Sequence, residues 1–175
     1  MRLIYFVNAE VLFMVEMKVE GLTLDPLTNM PIVILKDVTG SKALPIWVGI
    51  FEANAIALEI ESISTPRPMT HDLLKNLIHT FKAEINHVLV NELKDNTFYA
   101  VISIAINGDT LNIDSRPSDA IALALRVKAP IFVDETVIEA AKNIELPEQD
   151  ESKAEEKENL SKWIDNIKPQ DFGNL

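Results

Sequence analysis

Hydrophobic and polar positions alternate between Leu12 and Val19, where Val15, Met17 and Val19 interleave with Glu16, Lys18 and Glu20. A period of two predicts a half-buried strand. Asp25-Pro26 and Asn29 predict a turn. The apolar runs at 31–38 and 43–50, separated by Thr39-Gly40-Ser41, predict the two arms of a hairpin. The pattern then changes: residues 51–62 are rich in strong helix formers, and Ser64, Thr65, Pro66 and Pro68 end that helix. From Thr70, a good N-cap, to Ala83 a second helix is predicted. Leu73, Leu74, Leu77, Ile78 and Phe81 mark one of its faces, and His71, Lys75, His79 and Lys82 another.

The second half repeats these signals. Ile85 to Leu93 is strand-like, Lys94-Asp95-Asn96 is a turn, and residues 98–106 (FYAVISIAI) are strongly β-prone. Asn107-Gly108-Asp109 is a hairpin turn after which residues 110–114 pair back. Residues 117–127 (PSDAIALALRV) form a helix that is apolar nearly all round, so burial is expected. A short strand at 130–133 follows, and Asp134 caps a helix running to Asn143. Together these elements predict an α+β fold, a mixed β-sheet with packed helices. A hairpin followed by a helix carrying Ala-Ile-Ala-Leu occurs twice, at 55–58 and at 120–123. An internal duplication and two unrelated Ala- and Leu-rich helices both account for it.

Composition changes near Pro147. Residues 1–145 are assigned to one domain, 146–158 to an acidic linker, and 159–175 to a short C-terminal helix and tail. In that tail Trp163, Ile164 and Ile167 could dock on the core or on a partner. The apolar start of the chain is interrupted by Asn8, Glu10 and Glu16, has no cleavage site, and is too short and too charged to span a bilayer. Met14 and Met17 are plausible alternative starts, so the residues before Phe13 are read either as native or as a start-site artefact.

Charge and cysteine content narrow the chemistry. The 175 residues contain no cysteine, which removes disulfides, thiolate nucleophiles and Cys-ligated zinc and fits a cytoplasmic location. A formal net charge of −11 counts against non-specific nucleic-acid binding, which relies on Lys and Arg. Gly-rich phosphate loops, nucleophile elbows, HExxH and dinucleotide fingerprints are missing, so kinase, hydrolase-triad and Rossmann readings are poor.

Three strings, LPIWVGIFEANAIALEI, PRPMTHDLL and IDSRPSDAIALALRVKAPIFV, resemble the bifunctional nuclease domain family. The resemblance runs from Met17 to Ala141. It implies an α+β fold and cleavage of RNA and single-stranded DNA, an activity attached to plant members. The longer helical module that some relatives append is missing here.

The candidate chemistry lies at two Arg-Pro steps. A residue before proline is extended, so Arg67 and Arg116 sit just ahead of helix starts near Thr70 and Ser118. Free N–H groups and the positive dipole end make such a start an anion site, and a guanidinium adds bidentate phosphate recognition. Arg67, Arg116, Thr70 and Ser118 are therefore the phosphate-binding candidates, and two entrances in one cleft would cradle a phosphodiester. The alternative is that each arginine pairs with a nearby acid, such as Asp114 or Asp119, and locks a loop.

Asp114, Asp119 and Glu52 are candidate ligands for Mg²⁺ or Mn²⁺, unless they and Asp72 merely complement helix dipoles. His71, Asp119 and Asp114 are the catalytic candidates, with His71 moving a proton. His79, two turns from His71, is too distant to share a metal. Trp47 either stacks a base or packs indoors. The expected function is thus a metal-dependent nuclease acting on RNA or single-stranded DNA; the alternative is a non-catalytic module for a small anionic ligand or a protein partner. A homodimer is compatible with either, through the 120–125 helix or the Trp163 segment.

Overall fold

The structure is a computed structural model that describes residues 2–7 and 10–141, with side chains from Phe13 onward. The linker and C-terminal helix expected after residue 145, with Trp163, lie outside the described residues. Eight strands form one sheet: β1 (Arg2–Val7), β2 (Glu10–Leu24), β3 (Pro31–Asp37), β4 (Ala43–Trp47), β5 (Glu84–Lys94), β6 (Thr97–Ile106), β7 (Asp109–Ser115) and β8 (Ile131–Asp134). Their order is β4-β3-β2-β8-β5-β6-β7, with β1 paired to β2. Neighbours run antiparallel except β5 and β8, which are parallel. The fold is α+β with a mixed sheet, as the pattern predicts.

Local chemistry explains the turns. The Asp25 carboxylate accepts the backbone N–H groups of Leu27 (2.9 Å) and Thr28 (3.3 Å), closing the loop between β2 and β3. Asn107 and Gly108, both at positive φ (53° and 90°), make the tight turn from β6 to β7. Asp134 caps the short last helix by accepting the Thr136 N–H at 2.8 Å.

Four helices complete the described residues: α1 (Ile50–Ile60), α2 (Thr70–Thr80), α3 (Pro117–Val127) and α4 (Glu135–Ala141). The central helix is α3, which lies over β5 and β6 and touches both α1 and α2; α1 in turn lies over β2 and β3. The alternating alanines of α3 (Ala120, Ala122, Ala124) are buried and let its neighbours approach closely. The two Ala-Ile-Ala-Leu stretches fall inside α1 and α3, which pack together, and each helix follows a hairpin.

Two expectations need correction, and the stripe of α2 lands on a side that its periodicity alone does not tell. The α3 helix is buried inside the molecule, with Ile121 and Ala122 fully covered, so the 120–125 stretch is no dimer interface. The N-cap of α2 is Met69, one residue earlier than expected. Most notably, the apolar stripe of α2 does not face the core. Ile78 packs inward, but Leu73, Leu74, Leu77 and Phe81 are exposed, and the buried residue of this helix is His71.

Candidate active site

Arg116 has the extended backbone that a following proline imposes (φ −69°, ψ 143°), and Pro117 opens α3. From that position the guanidinium reaches two helix starts. Its Nε donates to Asp119 Oδ2 at 2.7 Å, in the first turn of α3. Its Nη2 meets Glu52 Oε1, also at 2.7 Å, in the first turn of α1. The other Asp119 oxygen, Oδ1, lies 3.1 Å from Nε2 of His71, in the first turn of α2. Glu52, Arg116, Asp119 and His71 thus form one chain of charge-assisted hydrogen bonds where three helix N-termini meet.

The electrostatics follow from the contacts. Burial alone would raise the Asp119 carboxyl, but hydrogen bonds from Arg116 and His71 outweigh it and hold the group below the usual carboxylate range. Arg116 is pushed further above its ordinary value by Asp119 first and then Glu52. An ionised carboxylate only accepts, so His71 Nε2 is the donor toward Asp119. His71 makes no second hydrogen bond, and no buried side-chain nitrogen or oxygen among the described residues lacks a partner. The ring is nearly covered, with its side chain 9% exposed. Gly49, the N-cap of α1, gives Glu52 its place: a Cβ at position 49 would collide with the Glu52 carboxylate.

Arg116 also borders an open cleft of about 660 Å³, lined by Trp47, Gly49, Phe98, Pro117 and Ser118 among others. The Trp47 indole N–H donates to Asp25 Oδ2 at 3.0 Å, the main reason the Asp25 carboxyl sits below its usual range. Ser118 is a buried part of the cleft wall, whereas Thr70 is exposed at the start of α2.

Several predicted residues do not join this group. Arg67 lines a different cleft of about 320 Å³ together with Asp72, Lys75 and Arg126. The two Arg-Pro entrances therefore do not converge: adjacent residues of α2 serve different neighbours, His71 turning to Asp119 and Asp72 to Arg126. Asp114, Asp119 and Glu52 are not gathered as metal ligands, and among the described residues no three His, Asp or Glu side chains are. Asp114 lies on β7 directly opposite Val101, which packs with Met14, Leu89 and Phe132 in a cluster separate from the main core. Ile113 beside it is opposite the core residue Ile102, so Asp114 points to the sheet face away from the helices. The oxygens of Glu52 and Asp119 are of the kind Mg²⁺ prefers, but Arg116 already spans them, so the arrangement does not fit a preformed divalent site.

The sequence pattern does not single out Arg126, the basic residue in the last turn of α3. Its side chain is only 3% exposed. Nε donates to Asp72 Oδ1 at 2.8 Å, and Nη1 donates to the carbonyls of Ala55 (3.0 Å) and Ala122 (2.9 Å). Asp72 Oδ2 in turn accepts the Met69 N–H at 2.9 Å. Arg126 thus ties α1, α2 and α3 together just behind their first turns. An arginine in an otherwise apolar buried helix was the available signal, because a buried cation demands partners.

These features define a class: an α+β domain that gathers three helix N-termini around an arginine at the mouth of a cleft. The profile of the bifunctional nuclease domain matches residues 33–145, and the chain belongs to that family. It is 37% identical over 163 residues to an uncharacterised protein of Mycobacterium tuberculosis strain H37Rv, covering 90% of this chain and 97% of the relative. It is 28% identical over 109 residues to bifunctional nuclease 1 of Oryza sativa subsp. japonica, 60% of this chain but 33% of the plant protein. Bifunctional nuclease 2 of the same plant shows 28% identity over 118 residues, 36% of its length. No helix among the described residues is long and apolar enough to cross a membrane.

Proposed function

We propose that this protein is a cytoplasmic nuclease that hydrolyses phosphodiester bonds in RNA and single-stranded DNA, with its reaction centre at Arg116, Asp119 and His71. The observation that carries the proposal is the hydrogen-bonded chain Glu52–Arg116–Asp119–His71 at the mouth of the 660 Å³ cleft. Family membership and the names of the plant relatives supply the substrate class.

In this reading Arg116 has N–H groups to spare beyond its two carboxylate contacts and takes a phosphate oxygen, aided by the amide groups that begin α3. Asp119 stays ionised, fixes the His71 ring and leaves Nδ1 as the basic nitrogen that accepts a proton from the attacking oxygen. Trp47 and Phe98 give the cleft aromatic surface on which an unpaired base can stack. Arg67 and Lys75, in the neighbouring cleft, hold another phosphate of the same strand. Mg²⁺ or Mn²⁺ enters this proposal as charge neutralisation brought with the substrate phosphate, not as an ion held by Asp114, Asp119 and Glu52. Homodimerisation is also part of the proposal.

The test is cleavage of labelled single-stranded RNA and DNA by wild type, Asp119→Asn and Arg116→Ala, each with Mg²⁺, Mn²⁺ and EDTA. Losing the proton relay reduces the rate by about a hundredfold or more, so both variants are expected to be nearly inert. Wild type inert under all three conditions would overturn the proposal. Equal activity in all three proteins would trace the activity to a contaminant or another site. Binding of a nucleotide without turnover, abolished in Arg116→Ala, would establish the non-catalytic anion-binding module instead.

A further inference from the structure

The two faces of the sheet carry separate apolar clusters. Strand alternation places Met14 of β2, Phe132 of β8, Leu89 of β5 and Val101 of β6 on the face away from the main core. Phe132 pairs with Leu89, and Leu89 with Val101, so these three form a row across adjacent strands. Met14, Leu89 and Phe132 are only 1%, 6% and 6% exposed. His87 stands edge-on to Phe132, ring centroids 5.7 Å apart, and burial pushes its imidazole below the ordinary value. None of the described helices provides this cover. The buried residues of α1, α3 and α4 belong to the main core on the other face, and α2 rests on α3. Strand β1 continues the sheet beside β2, with Leu3 opposite Met14. An apolar sheet face needs a second layer to bury it. The stripe of α2 is the contrast: Leu73, Leu74 and Leu77 stay exposed.

We propose that residues 160–167 of this chain dock on the helix-free face of the sheet, against Met14, Leu89, Val101 and Phe132. Leu160, Trp163, Ile164 and Ile167 recur at i, i+3, i+4 and i+7, the spacing of one helical face, and Ser161, Lys162, Asp165 and Asn166 take the positions between. Sizes match. A helix of residues 160–167 is about 12 Å long. The patch from β2 through β8 and β5 to β6 crosses four strands, about 14 Å at ~4.8 Å per step. The connection also reaches. Residues 142–159 follow α4 and extend to about 60 Å at most. As a random coil they span roughly 23 Å, against about 20 Å between layers on opposite faces of a sheet at ~10 Å per layer. They are rich in acids, which suits a solvated path around the sheet edge. Coverage itself selects the occupant: Met14, Leu89 and Phe132 are buried within a single chain, which leaves no need for another protein. The docked segment stands on the face opposite the starts of α1, α2 and α3, so it shields the sheet and takes no part in the candidate site.

Fluorescence of the full chain tests this in Trp47→Phe, which leaves Trp163 as the sole tryptophan. Trp163 is expected to emit at short wavelength and to resist acrylamide quenching severalfold better than in urea. Adding Val101→Glu puts a charge into the half-buried row and is expected to shift that emission to the red, with the fold intact by circular dichroism. Adding Leu74→Glu on α2 is expected to leave it unchanged. Cross-linking decides the matter if the Val101 variant fails to fold. The chain has no cysteine, so Ile164→Cys can be paired with Tyr99→Cys, an exposed position two residues from Val101 on β6. A short bis-maleimide is expected to bridge this pair within one chain and not to bridge Ile164→Cys with Leu74→Cys. Emission typical of a solvent-exposed indole in Trp47→Phe alone would overturn the proposal. So would bridging to position 74 with a red shift in Leu74→Glu, which would place the segment on α2. A bridge formed between two chains in place of one within a chain would overturn it as well.

Discussion

At the scale of single residues, the candidate site is a matter of who holds whose charge. Gly49 is the sharpest case. Its missing Cβ leaves the space into which the Glu52 carboxylate folds. Gly49→Ala is expected to turn Glu52 away from Arg116, because the far end of a flexible side chain moves more easily than backbone. Cleavage should then fall severalfold, while the urea midpoint changes by less than about 1 kcal/mol in stability, as for most substitutions that leave the core intact. A large loss of stability with full activity would contradict this reading of Gly49. How far this site was legible depends on sequence separation. Arg116 and Asp119 lie three residues apart around a proline, so their pairing could be anticipated from the loop. The His71–Asp119 bond joins residues 48 apart and Arg116–Glu52 joins different helices. Nothing local encodes such contacts; they exist because three helices begin at one place. Asp114 misled for the converse reason. It is close in sequence to Asp119, yet strand alternation sends it to the other face of the sheet.

At the scale of elements, Arg126 is the joint among α1, α2 and α3. Replacing it by leucine keeps much of its volume but leaves Asp72 and the carbonyls of Ala55 and Ala122 without their donor. Removing one partner of a buried pair costs about 3 kcal/mol at the low end of its range, and Asp72 is partly exposed, so that lower figure is expected by urea denaturation. The pH dependence has a definite sign. Asp72 and Asp119 both titrate below the ordinary 3.8 in the folded protein. For Asp72, burial opposes the shift, and the Met69 N–H and Arg126 produce it. The stability contributed by both groups is therefore present above that value and is lost as pH falls through their folded pKa values. Arg126→Leu should show a shallower loss of stability below pH 4 than wild type, a comparison that acid titration followed by circular dichroism can make. Hairpins and helix positions were legible because turn chemistry and periodicity are local properties. The placement of α2 was not. An apolar stripe states that a helix has two faces, but only the packing of α3 against β5 and β6 decides that the stripe of α2 stays uncovered.

At the scale of the whole molecule, the proposed substrate is an anion that an acidic chain would have to bind against its own field. Net charge −11 leaves little room for a broad basic surface, and the two clefts offer Arg116 on one side and Arg67 with Lys75 on the other. Contact with nucleic acid should therefore be local and few-sided, and salt dependence measures how many phosphates are engaged. Each phosphate contact to a single strand contributes about −0.7 to the slope of log affinity against log salt. Engagement of Arg116 and Arg67 alone predicts a slope of about −1.4, and Arg67→Ala should bring it to about −0.7. The measurement needs a protein that binds without cutting and reports from the cleft. Asp119→Asn combined with Trp163→Phe supplies it, because Trp47 lines the cleft and becomes the sole tryptophan. Its fluorescence should change on binding an unpaired oligonucleotide and should not change with a duplex, whose bases are not free to stack. A slope steeper than about −3 would mean that four or more phosphates are held. That outcome would require cationic residues outside the two clefts and would move the nucleic-acid surface away from the three helix starts.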